Sequence, residues 1–168
     1  DWPYCYDGDL AYEADYLAAY SCSPHALFVL AFAGERIIGC STGMPMRDET
    51  AAIQAPFHAA GFNVDQIFYF GESVLDSEFR GLGLGHRFFD AREAFARSLP
   101  GIRNTAFCAV ERAADDPRRP NDHRSLNDFW RDRGYKPYDH LRAQLAWKEC
   151  GAADNVMNTM VFWLRGVE

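Results

Sequence analysis

The chain has 168 residues, of which 48% are hydrophobic and 15% aromatic, and its formal net charge is −7. Such a length and apolar content suit one folded domain with a full core, and they argue against a disordered protein. The acidic balance argues against general nucleic-acid binding, and the longest apolar run, Ala26–Ala33, is too short to span a bilayer. We therefore expect a single domain over residues 1–168 that binds neither nucleic acid nor a membrane.

The five cysteines are scattered along the chain and show no C-x-x-C pairing. This spacing fits neither a disulfide framework nor a zinc site, and it indicates reduced thiols that mostly pack as small core residues. We predict no metal and a cytoplasmic location.

The first part of the chain shows the pattern of a helix followed by a strand hairpin. Leu10–Tyr20 has apolar residues at helical spacing. Leu27–Ala33 and Ile37–Thr42 are predicted strands joined around Gly34. The apolar side of the helix consists of Leu10, Ala14, Leu17 and Ala18.

A long connection then leads to the most apolar strand. We predict that Arg47–Asp65 is irregular, because it contains Pro56 and Gly61, and an insertion of this length often covers an active site. A solvated connector is the equal alternative. Gln66–Leu75 is apolar on both faces, as expected for a central strand.

Two residues interrupt the central strand. Gly71 lies inside it, and a glycine inside a strand often marks a bulge or a close backbone approach. Glu72 follows directly, and a carboxylate within an apolar strand is costly unless it is paired, exposed in a cleft, or used in chemistry. Glu72 is therefore a candidate functional residue.

The second half of the chain alternates helices and strands around one polar loop. A helix that starts at Gly83 is predicted to stop at Leu99-Pro100-Gly101. A short aromatic helix, Ser125–Arg133, ends at Gly134. The predicted strands are Thr105–Val110, Leu141–Trp147 and Thr159–Leu164, and the polar loop is Ala113–Arg124.

The turn between the central strand and the long helix is rich in glycine and carries a cation. Arg80–Gly85 reads R-G-L-G-L-G, and helical spacing starts at Leu84. The start of a helix presents unpaired N–H groups and a positive dipole end, and glycines let an anion approach closely. The turn therefore predicts a phosphate or pyrophosphate site beside Arg80.

Three phosphate motifs compete for this turn. The nucleotide P-loop requires Lys-Ser/Thr after the last glycine, where this chain has His86-Arg87. The dinucleotide motif G-x-G-x-x-G directly follows a strand, whereas here the spacing is G-x-G-x-G and five residues intervene. The pattern R-x-x-G-x-G, formed by Arg80, Gly83 and Gly85, resembles the pyrophosphate loop of the GNAT superfamily of acyl-CoA-dependent N-acyltransferases. A strand–helix turn without a ligand is the plain alternative.

The order of the elements strengthens this resemblance from about Leu10 to the C-terminus. Asn127–Tyr135 is similar to the second conserved segment of the family, an aromatic helix ending in Gly-Tyr or Gly-Phe. The resemblance implies an α/β (α+β) GNAT fold, whose mixed, mostly antiparallel sheet is flanked by helices and splayed between the fourth and fifth family strands. The first family strand is expected to be missing upstream of Asp1 or to be replaced by Trp2–Tyr6.

The same resemblance implies that acetyl-CoA is the cofactor and how it is held. The pantetheine arm would pair with the free edge of the central strand, the pyrophosphate would bind the N–H groups of Leu82–His86, and Phe129 or Trp130 would line the thiol end. The implied cofactor residues are Val74, Leu75, Arg80, Gly81, Leu82, Gly83, Leu84, Gly85, His86 and Phe129.

The chemistry implied is transfer of an acetyl group to a primary amine by direct attack. An amine must lose a proton before it attacks, so we expect Glu72, or else Glu111, to act as the base. A backbone N–H near Val74 would hold the oxyanion. No covalent intermediate is needed, and Cys108 is expected to be a buried thiol.

The acid that reprotonates the departing thiolate is less clearly marked. The family commonly uses a tyrosine of the aromatic helix, and that place is filled here by Trp130, whose indole is no usable acid. Tyr135, Tyr138, His123 or solvent remain as candidates.

The acceptor is expected to be a small-molecule or peptide amine, bound beside Tyr4 and Tyr6. We expect a monomer or homodimer. Two other functions stay open at this stage, a non-catalytic acyl-CoA-binding module and, with less support, a dinucleotide-binding oxidoreductase.

Overall fold

The computed structural model describes residues 1–167, apart from the side chains at positions 12 and 15. These residues form one six-stranded sheet in the order β1-β2-β3-β4-β6-β5. The strands are β1 (Leu27–Ala33), β2 (Arg36–Pro45), β3 (Ile67–Leu75), β4 (Asn104–Val110), β5 (Lys136–Lys148) and β6 (Asn155–Gly166). The α-helices are α1 (Leu10–Cys22), α2 (Ala51–Ala59), α3 (Leu84–Ser98) and α4 (Asn127–Asp132).

The sheet is mixed and mostly antiparallel, as the resemblance implied. β3 runs parallel to β4, and the other neighbouring pairs are antiparallel. The crossover between the two parallel strands contains α3, which packs back on the sheet. The predicted α+β architecture is therefore confirmed.

Side chains of β3 alternate between two hydrophobic cores. Ile67 and Tyr69 pack in the core that contains α2, whereas Phe68 and Phe70 pack in the core that contains α3. Burial on both faces explains the continuous apolar run in the sequence. The prediction of a central strand is confirmed.

β3 and β4 separate along their length, which produces the predicted splay. They pair from Ile67 with Asn104 to Tyr69 with Ala106. Beyond this point β3 stays paired with β2 as far as Leu75, while β4 stays paired with β6 as far as Val110. The facing edges of the two strands thus open toward their carboxyl ends.

The long connection before β3 is more regular than predicted. Ala51–Ala59 forms α2, with Pro56 inside it and Gly61 in the left-handed region just beyond its end. Ile53 and Phe57, four residues apart, are buried in the core. The prediction of an irregular segment was wrong, because this apolar spacing outweighs one proline in a short helix.

The N-terminal helix packs through a different side than the sequence suggested. Leu10 and Leu17 are exposed, whereas Tyr20 is buried and its ring contacts Phe28 of β1. Tertiary contact with β1 therefore decides the orientation of α1. The side of α1 that carries Leu10 and Leu17 faces away from the sheet.

The segment Trp2–Tyr6 does not replace the first family strand. Its pairing in the described structure is a single bridge between Tyr6 and Glu149, at the far end of β5. It lies against β5, at the opposite edge of the sheet from β1, so that expectation was wrong. Within residues 1–167, no helix combines the length and apolar character needed to cross a membrane.

Candidate active site

The glycine turn before α3 leaves open space at the start of the helix. Gly81 and Gly83 have φ values of 77° and 80°, a region that glycine adopts without strain. Gly83 caps α3, and no side chain of the described residues bonds the cap. A Cβ atom at Gly81 or Gly83 would meet nothing within 4 Å in residues 1–167. An anion can therefore reach the backbone N–H groups here.

Arg80 lies between this turn and the end of β3. Its Nε donates to the Leu75 carbonyl oxygen at 3.2 Å, and its Nη2 lies 2.7 Å from a carboxylate oxygen of Asp1. The Arg80 side chain is 54% exposed. The predicted phosphate-binding cation is therefore accessible and already contacts one carboxylate.

The bulge in β3 is the second feature of the site. Ser73 pairs with Ser41 and Phe70 with Gly43, so Gly71 and Glu72 together face the single residue Thr42. Tyr20 and Thr42 occupy the space that a Cβ at position 71 would need. The bulge predicted at Gly71 is confirmed, and the groups that approach this glycine are the side chains of Tyr20 and Thr42.

Hydrogen bonds from both faces of the sheet hold the bulge. The Glu72 N–H donates to Thr42 Oγ1 at 2.8 Å. Behind the sheet, Arg92 is 1% exposed and donates to the carbonyl oxygens of Thr42 and Glu72, each at 3.4 Å. Its guanidinium carbon lies 4.4 Å from the ring centre of Phe70. The backbone at Glu72 is therefore fixed by groups that the sequence places far apart.

Glu72 is an exposed residue of β3, beyond the point where β3 leaves β4. Loss of hydration raises its pKa, and the nearby carboxylates of Glu13 and Glu49 raise it further. No ion pair to Glu72 occurs among residues 1–167. A carboxylate with a raised pKa and no cationic partner suits proton abstraction near neutral pH.

Sequence reasoning missed a polar group beside Glu72. Glu49 is 9% exposed and accepts the Thr50 N–H at 2.9 Å, and burial raises its pKa. The hydroxyl oxygens of Tyr16 and Tyr20 lie 3.1 Å apart. The four-residue spacing of these tyrosines was the one available signal, since it places both on one side of α1.

Cys108 lies on the β4 side of the opening. Its Sγ is 3.0 Å from the Tyr69 hydroxyl oxygen, and burial raises the pKa of the thiol to about 12. A thiol in this state is protonated at neutral pH, so Cys108 is no nucleophile there.

The model of the acetyltransferase (GNAT) family matches residues 1–120, well over half of the chain. This chain belongs to the GNAT acetyltransferase family. No curated protein matches it significantly. Members of the family are acetyl-CoA-dependent N-acetyltransferases, which sets aside the dinucleotide-binding oxidoreductase.

Solved structures share the fold at low sequence identity. An acetyltransferase from Thermus thermophilus is 16% identical, with a TM-score of 0.55 over 95% of this chain and 75% of that chain. An aminoglycoside 6'-N-acetyltransferase complexed with coenzyme A is 13% identical, with a TM-score of 0.57 over 99% and 84% of the two chains. NAA60 from Arabidopsis thaliana, in complex with a bisubstrate analogue, is 10% identical, with a TM-score of 0.55 over 84% and 75%.

The second GNAT segment packs into the core behind the glycine turn. The ring of Phe129 lies 4.8 Å from the ring of His86 and 5.3 Å from that of Phe89, so it lies beside the first turn of α3. Trp130 contacts Phe107 and Trp163, each at 5.0 Å between ring centres. Phe129 thus neighbours the pyrophosphate turn, and Trp130 is a core residue.

Two of the predicted catalytic residues are placed in structural ion and hydrogen-bond networks. Glu111 is exposed and paired with Arg142, which lowers the pKa of that carboxyl. Tyr135 is 1% exposed, and its hydroxyl bonds Thr105 at 2.9 Å and Glu93 at 3.3 Å. The expectation that Tyr135 is a general acid is therefore corrected, because Thr105 lies where β3 and β4 are still paired.

The N-terminal residues Asp1–Tyr6, here called the strap, cross the open end of the splay. Arg112, just after β4, donates to the carbonyl oxygens of Pro3 and Tyr4 at 2.7 and 3.2 Å. The opposite end of the strap is tied by the Asp1–Arg80 ion pair near the end of β3. Of the two tyrosines predicted as walls of the acceptor pocket, Tyr4 is therefore held beside the end of β4, whereas Tyr6 bridges Glu149 next to β5.

Proposed function

We propose that this protein transfers an acetyl group from acetyl-CoA to a primary amine by direct attack. The observation that carries the proposal is the placement of Glu72 on a fixed bulge at the opening between β3 and β4. The glycine turn starts within ten residues of that bulge, at the end of the same strand. An acyl donor lying along β3 would bring its thioester to Glu72.

The cofactor site is proposed on the residues that the structure leaves accessible. The N–H groups of Leu82–His86 and the Arg80 guanidinium would hold the diphosphate. The edge of β3 at Val74 and Leu75 would hold the amide groups of the pantetheine arm, as an added strand does. Acetyl-CoA supplies the activated acetyl thioester when it is bound.

Glu72 would start the reaction by removing one proton from the ammonium form of the acceptor. The raised pKa of Glu72 brings this carboxylate nearer to the pH at which it works. The amine nitrogen then attacks the thioester carbonyl, and an N–H of the β3 edge near Val74 would stabilise the oxyanion. A protonated Cys108 takes no covalent part.

The acceptor is proposed to be a cationic small-molecule or peptide amine that enters beside Tyr4 and Tyr6. The carboxylates of Glu13 and Glu49 act electrostatically on that of Glu72, so the pocket would favour a positively charged acceptor. Aromatic side chains around it would pack against the carbon skeleton of such an amine.

Calorimetry of acetyl-CoA binding tests the cofactor site. Arg80→Glu is expected to weaken binding at least tenfold, because it replaces the phosphate-facing cation by a carboxylate. Arg119→Glu, in the loop after β4, is the matched charge reversal and should bind like wild type. Unchanged binding by Arg80→Glu would refute the pyrophosphate assignment.

Release of free thiol from acetyl-CoA with a panel of amines tests the transferase reaction itself. A non-catalytic acyl-CoA-binding module is the second candidate, favoured by the burial of Tyr135 and by the packing of Trp130 against Phe107 and Trp163. That candidate predicts tight binding of acetyl-CoA without thiol release for any amine.

A further inference from the structure

Two free cysteines face each other where the strap meets the turn after β5. Tyr6 forms an antiparallel bridge with Glu149. Beside this bridge, the Cys150 N–H donates to the Cys5 carbonyl oxygen at 2.6 Å. In an antiparallel pair, the residue before Tyr6 lies opposite the residue after Glu149, so Cys5 and Cys150 are direct cross-strand neighbours. The fold thus pairs two thiols that are more than one hundred residues apart in the sequence.

Covalent geometry limits the distance between the two Cα atoms. A carbonyl oxygen lies about 2.4 Å from the Cα atom of its own residue, and an amide nitrogen lies about 1.5 Å from its Cα atom. Together with the 2.6 Å hydrogen bond, these lengths place the Cα atoms of Cys5 and Cys150 at most about 6.5 Å apart. Cysteines joined by a disulfide have Cα atoms about 4.4–6.8 Å apart, so the two backbones are already within bonding range.

The sulfur of Cys150 lies against the strap. Its Sγ is 3.5 Å from the carbonyl oxygen of Tyr6, the residue that follows Cys5. Both thiols are free in the structure, and Cys150 is exposed whereas Cys5 is half-buried. A dissolved oxidant would therefore react first with Cys150, and Cys5 is the nearest group in the opposite segment to complete a bond.

One arginine holds the segments on both sides of this pair. Arg112 donates to the carbonyl oxygens of Pro3 and Tyr4 in the strap, at 2.7 and 3.2 Å. The same guanidinium lies 2.7 Å from the carboxylate of Glu149, which is 4% exposed. The two thiols are therefore kept close to each other, which gives them a high effective concentration.

We propose that Cys5 and Cys150 form a modification site, at which a small disulfide oxidant such as glutathione disulfide produces an intramolecular disulfide. The bond would fasten the strap covalently to the turn after β5. Because the strap crosses the open end of the splay, its oxidised form closes that end more firmly. This proposal is independent of the acetyl transfer proposed above.

The reaction balances in atoms and electrons. The Cys150 thiolate attacks one sulfur of glutathione disulfide, whose S–S bond breaks and releases one glutathione thiolate. The Cys5 thiolate then attacks the Cys150 sulfur of the mixed disulfide and releases the second. Two electrons pass from the two cysteines to glutathione disulfide, and the two thiol protons end on the two molecules of glutathione.

Thiol counting on the oxidised full chain tests the bond. The protein is incubated with glutathione disulfide, freed of the oxidant and then denatured. We expect the number of free thiols to fall from five to three, with a mass loss of about 2 Da and no retained glutathione. A tryptic digest without reduction should contain the peptide that begins at Glu149 linked to the N-terminal peptide, which ends at Arg36.

Cys22→Ser is the matched control, because Cys22 is also exposed and lies in the same N-terminal tryptic peptide as Cys5. This variant should still form the link, whereas Cys5→Ser and Cys150→Ser should both lose it. Loss of the link in Cys22→Ser would overturn the proposal. So would a wild-type protein that holds glutathione on Cys5 and Cys150 separately, or that forms disulfide-linked dimers instead.

Thermal unfolding shows whether the bond forms in the native arrangement. A disulfide that closes so long a loop without strain restricts the unfolded chain, so the melting temperature should rise by about 5 °C or more and return on reduction. Cys5→Ser treated with the same oxidant should show no such rise. A linked protein that melts at or below the temperature of the reduced one would mean that bonding displaces the strap, and it would overturn the assignment.

Discussion

The backbone N–H of Glu72 donates to the side-chain oxygen of Thr42 at 2.8 Å, across the bulge between β2 and β3. Thr42 is 1% exposed, and its hydroxyl and that of Tyr20 both lie against Gly71. The backbone of the proposed base is therefore bonded beside a side chain of α1. The orientation of Glu72 depends on this bond, because the extra residue of a bulge lacks its own partner in the ladder.

Replacing this hydroxyl should affect both stability and rate. Thr42→Val keeps the shape but leaves the Glu72 N–H without an acceptor, which costs about 1–3 kcal/mol of unfolding free energy. We expect a lower kcat as well, since the Glu72 backbone is released. Thr42→Ser keeps the hydroxyl and is the matched control. Urea unfolding and steady-state kinetics measure the two effects, and equal values for Val and Ser would contradict the role.

The rate should depend on the protonation state of Glu72. Its carboxylate form is the base, and its pKa is raised, so kcat/KM should fall as the pH drops through a value above the ordinary 4.3 or so of glutamate. Glu72→Gln should lower the rate by about 10²- to 10⁴-fold and remove this acidic limb. Full activity of Glu72→Gln at neutral and high pH alike would exclude Glu72 as the base.

The charge of Glu13 offers a finer test of that pKa. Glu13 is one of the two carboxylates that raise the pKa of Glu72. Glu13→Gln removes the repulsion, so the acidic limb of kcat/KM should move to lower pH. Glu35→Gln, in the turn between β1 and β2, removes the same charge elsewhere and should leave the limb in place. If the acidic limb of kcat/KM does not move in Glu13→Gln, Glu13 does not raise the pKa of Glu72.

Two glycines of the turn should respond in opposite ways to substitution by alanine. Gly83→Ala places a Cβ at φ 80°, which costs about 1–2 kcal/mol of stability. Gly85 lies inside α3, and its Cβ would make an ordinary 3.9 Å contact with Phe129, so Gly85→Ala should gain up to about 1 kcal/mol. Gly85→Ala should nevertheless weaken coenzyme A binding, because the methyl group lies at the proposed phosphate site. Melting curves of both variants test the two opposite changes in stability, and calorimetry tests the weaker binding of coenzyme A.

The buried hydroxyl of Tyr135 is expected to matter for folding alone. Tyr135→Phe removes the partner of Thr105 and one donor to Glu93, at a cost of about 1–3 kcal/mol. The kcat of the folded variant should stay near that of wild type. A collapse of kcat with unchanged stability would restore Tyr135 as an acid candidate.

The features that were predicted correctly from sequence are local. The bulge at Gly71 lies within one strand, and the open glycine turn follows in the same stretch, so the local sequence carried the information. In contrast, Tyr20 of α1 and Glu49 of the segment after β2 lie near Glu72 only because tertiary packing brings these elements to β3. Spacing along the chain gave no means of pairing them.

The predictions that were wrong failed for the same physical reason, because they concern segments held by contacts with residues far away in the sequence. α2 was missed because Pro56 is a strong local signal, whereas burial of Phe57 against Phe162 of β6 is a distant one. The position of the Tyr4 backbone depends on Arg112 and Trp147, which follow it by more than one hundred residues. A backbone position fixed by such remote donors has no signature in the neighbouring sequence.

Because β3 and β4 part after Tyr69, the sheet consists of two three-stranded halves, β1-β2-β3 and β4-β6-β5, that share a short parallel seam. A molecule lying between the halves would contact both and oppose their opening. Amide hydrogen exchange along the free edges of both strands should therefore slow together when coenzyme A is added, in the manner of one cooperative unit.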